Sequence, residues 1–361
     1  MSHTLFMKKI ILDCDLMRYP DSGLYHYCLN LGIEVQELIK EDKDMSISFF
    51  VPESARNAFG ELAKCHIEKK RLWPFTKPVY HDCTLWHAPF QSGRIYPGRN
   101  KPKGLKVLLT IHDLNPLHEG KSIEEQRKSL DHTQSLIDKA DALICISNFC
   151  KQDVLKHCDI GNKPVFVIHN GTHKVDEPGL LENSYKPALP FLFAMGYVNT
   201  KKNYHVLLNL LKKEGLELVI AGKLDEPDYI HKMRMIAEEW GVADRFHLLG
   251  PITEGEKGWY LRNCLAFMQP SLAEGFGAPV VEAMQFGKPL FLSSLTSLPE
   301  IGGDAAFYFS SFEPREMQNI FDKGMHTYLE NAMMEKIKQR SSEFQWKEKA
   351  KQYLQLYKTL L

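Results

Sequence analysis

Two glutamates stand eight residues apart in SLAEGFGAPVVEAMQFG (271–287), with Glu274 before a glycine turn and Glu282 after it. Gly275 and Gly277 carry no Cβ, so the backbone of the turn can approach a ligand closely. Pro279 suits the first turn of a helix and Gly287 its end, so PVVEAMQF reads as a helix following the apolar strand LAFMQPS. The free N–H groups and dipole of such a helix start hold an anion. Acids on both sides of an anion-binding turn make sense if they reach past the anion. A carboxylate accepts two good hydrogen bonds, so each can grip a pair of vicinal hydroxyls. The alternative is local: Glu274 as a solvated turn residue and Glu282 as a first-turn acid favoured by the dipole.

Three further stretches offer chemistry. In MGYVNTKKNYHVLL a strand and Gly196 precede Lys201, Lys202 and Asn203, and two lysines at a helix start can neutralise a diphosphate or simply face solvent. In TIHDLNPLHE, His112 and Asp113 end an apolar strand, where a histidine can meet a sugar or play a structural part. DSGLYHY puts Gly23 in a loop after the first strand, open to an acceptor or a phosphate. Asp13-Cys14-Asp15 spells a D-x-D, but it ends the first strand without a nucleotide-binding context, so no metal site is expected. The chain has no G-x-G-x-x-G after its first strand, no G-x-x-x-x-G-K-[ST] and no G-x-S-x-G. These absences speak against a dinucleotide oxidoreductase, a P-loop NTPase and an α/β-hydrolase.

The elements that must position these residues alternate. KKIILDCD, SISFFV, TLWHAPF, KVLLTIHD, ALICIS and PVFVIHNG read as short buried strands. DSGLYHYCLNLGIEVQELIK, IEEQRKSLDHTQSLIDKA and NFCKQDVLKHC read as helices between them. HKVDEPGLLENSYKPALP reads as a linker, after which FLFAMGY, LELVIAG, RFHLLG, LAFMQPS, PLFLSS and AAFYF alternate with helices, NYHVLLNLLKKEG among them. The pattern predicts α/β architecture with two doubly wound, Rossmann-like halves. The boundaries expected are 1–175, completed by a helix at about 343–361, a linker at 176–190, and 191–342. Ligands of such sheets bind outside the carboxyl ends of the strands, so the cleft between two facing halves is the expected site.

Composition agrees with a soluble two-domain protein of 361 residues, 44% hydrophobic and 25% charged. Lys plus Arg equals Asp plus Glu at 45 each, which disfavours a nucleic-acid partner held by bulk charge. The eight cysteines form no C-x-x-C, and several lie in apolar runs, as buried thiols of a reducing cytoplasm do. A zinc site from Cys145, Cys150, His157 and Cys158 fits no established spacing. MSHTLFMKK lacks the core of a secretory signal, and no run is long enough to span a membrane.

Taken in order, SGLYHY, TIHDLNPL, ADALICISNFCKQDV, VFVIHNGTH, Gly196 to Asn203, LVIAGK, FHLLGPI and PSLAEGFGAPVVEAMQFGKPLFLSSLTSLPEIGGDAAFYF resemble the family-4 retaining glycosyltransferases of the GT-B fold. FQWKEKAKQYLQLY is similar to the family's C-terminal helix, which crosses back onto the first domain. The resemblance runs from Met7 through nearly the whole chain. It implies transfer of a hexose from a nucleotide diphosphate sugar, with retained configuration, no required metal and no cofactor. It also implies roles. Glu282 would bind ribose hydroxyls, and Glu274 hydroxyls of the transferred sugar. Lys202, helped by Lys201, would bind the diphosphate, and Gly196 and Asn203 would also line the donor. The backbone of Gly275, Phe276, Gly277 and Ala278 would contact sugar and phosphate, and that from Leu249 and Gly250 to Ile252 the base. His112 would sit at the reacting centre and Gly23 on the acceptor–phosphate side. Many members have Arg after the glycine; here it is Tyr197.

The donor sugar is expected to be mannose first and glucose next, linked to GDP or UDP, and the acceptor a glycan or lipid-linked glycan of a surface polysaccharide. A non-catalytic sugar-nucleotide-binding protein and a GT-B hydrolase or epimerase are the alternatives. The stretch 92–106 carries Arg94, Arg99, Lys101, Lys103 and Lys106 with Tyr96. It reads either as a solvated loop or as a peripheral contact with the anionic inner face of the plasma membrane.

Overall fold

The computed structural model describes residues 7–20, 22–67, 83–98, 101–175, 179–330 and 333–361. It divides into two compact units. The first comprises 1–117, 121–171 and 345–361, and the second 118–120 and 172–344.

Among the described residues of the first unit, seven strands form one sheet: β1 (Lys8–Asp13), β2 (Met45–Val51), β3 (Cys65–Ile67), β4 (Leu85–Ala88), β5 (Lys106–Ile111), β6 (Ala142–Cys145) and β7 (Val165–Val167). Their order is β3-β2-β1-β4-β5-β6-β7, and every pairing is parallel. The helices α1 (Gly23–Leu38), α2 (Ile123–Ile137) and α3 (Asn148–His157) are the crossovers that parallel strands need. Each starts where the sequence supplies an N-cap: Ser22, Ser122 and Ser147 accept from the backbone N–H three residues on. On α1, Tyr27, Cys28, Leu31 and Val35 recur at helical spacing and are buried. The strand β3 has no counterpart in the sequence reading, because three half-buried residues leave no alternation to read.

The second unit repeats the plan. Its strands are β8 (Phe191–Met195), β9 (Glu217–Ala221), β10 (Phe246–Gly250), β11 (Ala266–Gln269), β12 (Leu290–Ser293) and β13 (Phe307–Phe309), in the parallel order β10-β9-β8-β11-β12-β13. The helices are α4 (Pro227–Glu239), α5 (Glu254–Asn263), α6 (Ala278–Gln285), α7 (Leu298–Gly302), α8 (Pro314–Glu330) and α9 (Met333–Ser342). The stretch expected to be a helix after β8 is a 3₁₀-helix, Tyr204–Lys212. Tyr204 and the continuous run Leu207 to Leu211, Asn209 included, are buried in it.

The last helix, α10 (Trp346–Leu360), packs in the first unit. Trp346, Ala350, Tyr353, Leu356 and Tyr357 join Ile10, Leu12, Phe49 and Leu108 in its core. A leucine, isoleucine or phenylalanine among them contributes roughly 1.5–3 kcal/mol when fully buried. The eight cysteines are free thiols; Cys65 and Cys158 are half-buried and the rest buried. Among the described residues no helix is long and apolar enough to cross a membrane.

Candidate functional site

In both sheets the strand order reverses next to the first strand of the unit, and ligands of doubly wound sheets bind at that switch point. In the second unit the switch lies between β8 and β11. The loop leaving β8 carries Gly196 to Asn203, and the loop leaving β11 carries Pro270 to Gly277, so topology alone brings the lysines to the glutamate motif. Leu272 N–H donates to Lys201 O (2.9 Å), and Asn203 Nδ2 donates to Pro270 O (3.2 Å), which ties the two loops together.

Glu274 lies at the centre and is only 8% exposed. Its Oε1 accepts from Lys202 Nζ (2.5 Å), Gln269 Nε2 (2.6 Å) and Ser271 Oγ (2.8 Å). Its backbone is fixed as well: Glu274 N–H donates to Thr296 Oγ1 (2.9 Å), and Ser297 Oγ donates to Glu274 O (2.8 Å). Burial alone would raise its pKa. The Lys202 ammonium, with Lys201 and Ser271, holds it below the usual glutamate value instead. One oxygen is anchored by three donors, and Oε2 is left without a protein donor among the described residues. That arrangement suits a fixed acceptor for ligand hydroxyls.

Tyr204 Oη and Gln269 Oε1 are buried without a hydrogen-bond partner among the described residues. Gly196 has φ +143°, and a Cβ there would stand 3.1 Å from Tyr204 Oη and 3.4 Å from Lys202 Cε. Its glycine is needed both for the backbone and for the space beside the lysine. Gly277, the N-cap of α6, has φ +91°, and a Cβ there would stand 2.9 Å from Leu298 Cδ2. Gly277→Ala should therefore cost about 1–3 kcal/mol of stability, read as a lower midpoint in urea at unchanged slope.

Glu282 lies on α6, and its Oε1 accepts from Lys257 Nζ on α5 (3.0 Å). Gly275 and Phe276 are buried, Phe276 with its ring against Phe344, so the turn offers a ligand backbone rather than the aromatic ring. Ala278 opens α6. Gly250 ends β10 with φ +74° and accepts from Gly222 N–H (2.8 Å), beside half-buried Leu249. Lys201 Nζ lies 3.9 Å from Glu119 Oε2. Tyr197 is 37% exposed and has Lys223 Nζ 5.5 Å from its ring centroid.

In the first unit His112 follows β5 and is buried. Its Nε2 bonds Pro89 O at 2.8 Å, which fixes the proton on Nε2 because a carbonyl only accepts. Nδ1 is then an acceptor, without a protein partner among the described residues. Tyr27 and Phe90 pack edge-on to the ring. Burial lowers the His112 pKa to about 4, against a smaller opposing effect of the Pro89 carbonyl, so the imidazole is neutral at pH 7. Gly23 opens α1 at an exposed position where a Cβ would meet nothing within 4 Å, so packing does not require its glycine.

The D-x-D carboxylates are engaged within the first unit. Asp15 accepts from Arg18 Nη2 (2.6 Å) and Arg94 Nε (2.7 Å), and Asp13 Oδ1 accepts from Asp15 N–H. The basic stretch 92–106 also changes character. Arg94 is bound to Asp15, Lys101 pairs with Asp141, Tyr96 donates to Leu136 O, and Arg99 lies outside the described residues. Among the described residues of the stretch, Lys103 and Lys106 are the cations left exposed.

The sequence reading missed Lys257, Gln269, Ser271, Tyr204 and the Thr296–Ser297 clamp. A usable signal existed for Gln269: an amide within an otherwise apolar strand, immediately before the motif.

Comparison with known proteins matches the same segments. The family described as Glycosyl transferases group 1 matches residues 183–353, and Glycosyltransferase Family 4 matches 68–174; together they span well over half of the chain. The serotype-specific mannosyltransferase WbdA of Escherichia coli is 24% identical over 69% of this chain and 33% of its own. The chain thus spans about a third of the length of the first curated relatives it matches. The O-antigen chain mannosyltransferase B of Escherichia coli is 23% identical over 98% of this chain and 100% of its own. Among solved structures, a sucrose-phosphate synthase from Thermosynechococcus elongatus superposes with a TM-score of 0.75 at 17% identity, covering 98% of this chain and 99% of that one. With two parallel Rossmann-like sheets and both family matches in register with them, the chain belongs to the group 1 and family 4 glycosyltransferases and has the GT-B fold.

Proposed function

We propose that the chain transfers a hexose, mannose ahead of glucose, from a GDP- or UDP-linked donor to a glycan or lipid-linked glycan during surface polysaccharide assembly, with retention and without a required metal. The observation that carries this reading is the Lys202–Glu274 pair at the switch point, with Glu282 one helical turn into the helix that follows. Lys202, Lys201 and the α6 N-terminus stabilise the leaving diphosphate. Glu274 Oε2 accepts from hydroxyls of the transferred sugar, and Glu282 from the ribose. The neutral His112 offers Nδ1 to a sugar hydroxyl. The anomeric C–O bond to the diphosphate breaks as the acceptor oxygen bonds the same face of the anomeric carbon, and the departing phosphate oxygen takes the acceptor's proton. Mannosyltransferases among the relatives favour mannose as the sugar.

The test is NMR of the anomeric centre formed from an α-linked GDP-mannose and a mannose-terminated oligosaccharide. An α-linked product with no glycosyl adduct in the intact mass is expected. An inverted product, or an adduct on any side chain, contradicts the mechanism. Free hexose without transfer makes the chain a hydrolase, and binding without turnover makes it a binding protein. Glu274→Ala should erode discrimination between donor sugars while free nucleoside diphosphate still binds, which competition titration checks.

A further inference from the structure

Lys257, beside the candidate site, holds a position that runs against its local environment. It lies in the first turn of α5, where the helix dipole repels a cation, and it is only 9% exposed, where an ammonium loses hydration. Two carboxylates compensate. Lys257 Nζ lies 2.6 Å from Glu254 Oε2, on its own helix, and 3.0 Å from Glu282 Oε1, on α6. Burial would lower the Lys257 pKa, but Glu282 and Glu254 hold it above the ordinary lysine value, so the group stays charged. Glu254 is more than half exposed, whereas Glu282 is 20% exposed, so the pairing that matters away from water is the one to Glu282. The start of α5 is itself rigid. Thr253 and Glu256 form a capping box, and Ser184 donates to Glu256. The lysine is thus presented from a fixed helix end.

We propose that Lys257 is a positioning residue for the donor's ribose: it holds Glu282 Oε1 from the side, fixing the rotamer in which the carboxylate meets the vicinal hydroxyls. This rests on the reading of Glu282 as the ribose acceptor. Lys257 does not touch the nucleotide; it acts through the carboxylate. A residue that only stabilised the fold would change affinity for all nucleotides alike. A residue that orients Glu282 changes affinity only where there are ribose hydroxyls to accept from.

The test measures Kd for GDP and UDP, and for their 2′,3′-dideoxy counterparts, with wild type, Lys257→Met and Lys257→Arg. For the better-bound base, Lys257→Met should weaken the ribonucleotide by about ten- to a hundredfold, the worth of a hydrogen bond to a charged group. The dideoxy counterpart should change by no more than about twofold, and Lys257→Arg should restore part of the preference. In a Glu282→Gln background, Lys257→Met should have little further effect. If Lys257→Met fails to fold, Lys257→Gln is measured in its place. A folded variant that keeps the wild-type preference for the ribonucleotide overturns the proposal, and so does failure of both neutral variants to fold, which would make Lys257 a requirement of the fold. If wild type binds neither nucleotide, the donor-site reading falls and this inference with it. If wild type binds and Glu282→Ala does not, but Lys257→Met behaves as wild type, only the inference falls.

Discussion

Lys202→Met is expected to lose both stability and activity, and the two losses separate on a second substitution. The Lys202 and Glu274 side chains are 13% and 10% exposed, and the ion pair between them is one of three hydrogen bonds on Glu274 Oε1. Removing the cation leaves a carboxylate away from water with only Gln269 and Ser271 to support it. Breaking one side of such a pair costs about 3–5 kcal/mol. Adding Glu274→Gln removes the stranded charge, so the double variant should regain most of that stability. It should not regain transfer, because the cation proposed to meet the leaving diphosphate is still missing. A preorganised electrostatic group of this kind is worth about a hundredfold or more in kcat. Urea unfolding of the two single variants and the double variant, alongside their turnover, checks this. A Lys202→Met protein as stable as wild type would show that the pair is not desolvated, and full stability with full activity would remove Lys202 from the site.

The second large effect is acid lability. Burial lowers the His87 pKa to about 3, with the nearby His112 adding to the shift, and burial lowers His112 to about 4. His87 bonds Tyr357 Oη through Nδ1 (2.7 Å) and Thr110 Oγ1 through Nε2 (2.8 Å), so it joins α10 to β5 under the sheet. Both rings are neutral in the fold, whereas in the unfolded chain they titrate near 6.5. The folded pKa is the lower one, so between about pH 6.5 and 4 the unfolded state binds more protons, and stability falls as pH falls. From pH 7 to pH 5 each ring should cost about 2 kcal/mol. The melting temperature by circular dichroism should drop steeply over that interval, and His87→Gln should flatten part of the drop. A melting temperature that does not change between pH 7 and 5 would contradict the neutral, buried state of both rings.

What the sequence made legible follows from where the constraints lie. The turn of Glu274 to Gly287 could be read because its needs are local: Gly277 at φ +91°, Pro279 at the helix start and Gly287 at φ +65° after its end are each dictated by backbone geometry. The strands could be read because a parallel strand buried on both faces leaves an apolar run, as IILD and LLTI do. The through-space pairs were hidden. Lys202 and Glu274 were given separate duties, one to phosphate and one to sugar, yet in the fold they hold each other. Lys257 sits in EGEKGWY, which reads as a polar helix start, and only the adjacency of α5 and α6 reveals its partner 25 residues away. His112 reads the same whether charged or neutral until Pro89 and burial fix its proton. The 3₁₀-helix at Tyr204–Lys212 escaped because a leucine-rich run looks helical in either period.

The most direct test of a donor site in the second unit is calorimetric titration of GDP-mannose and UDP-glucose into wild type and Glu282→Ala. Saturable binding of one of them to wild type is expected, weakened by about tenfold or more in Glu282→Ala together with the binding of its free nucleoside diphosphate. No binding of either sugar nucleotide to wild type, or equal binding to both proteins, would contradict it.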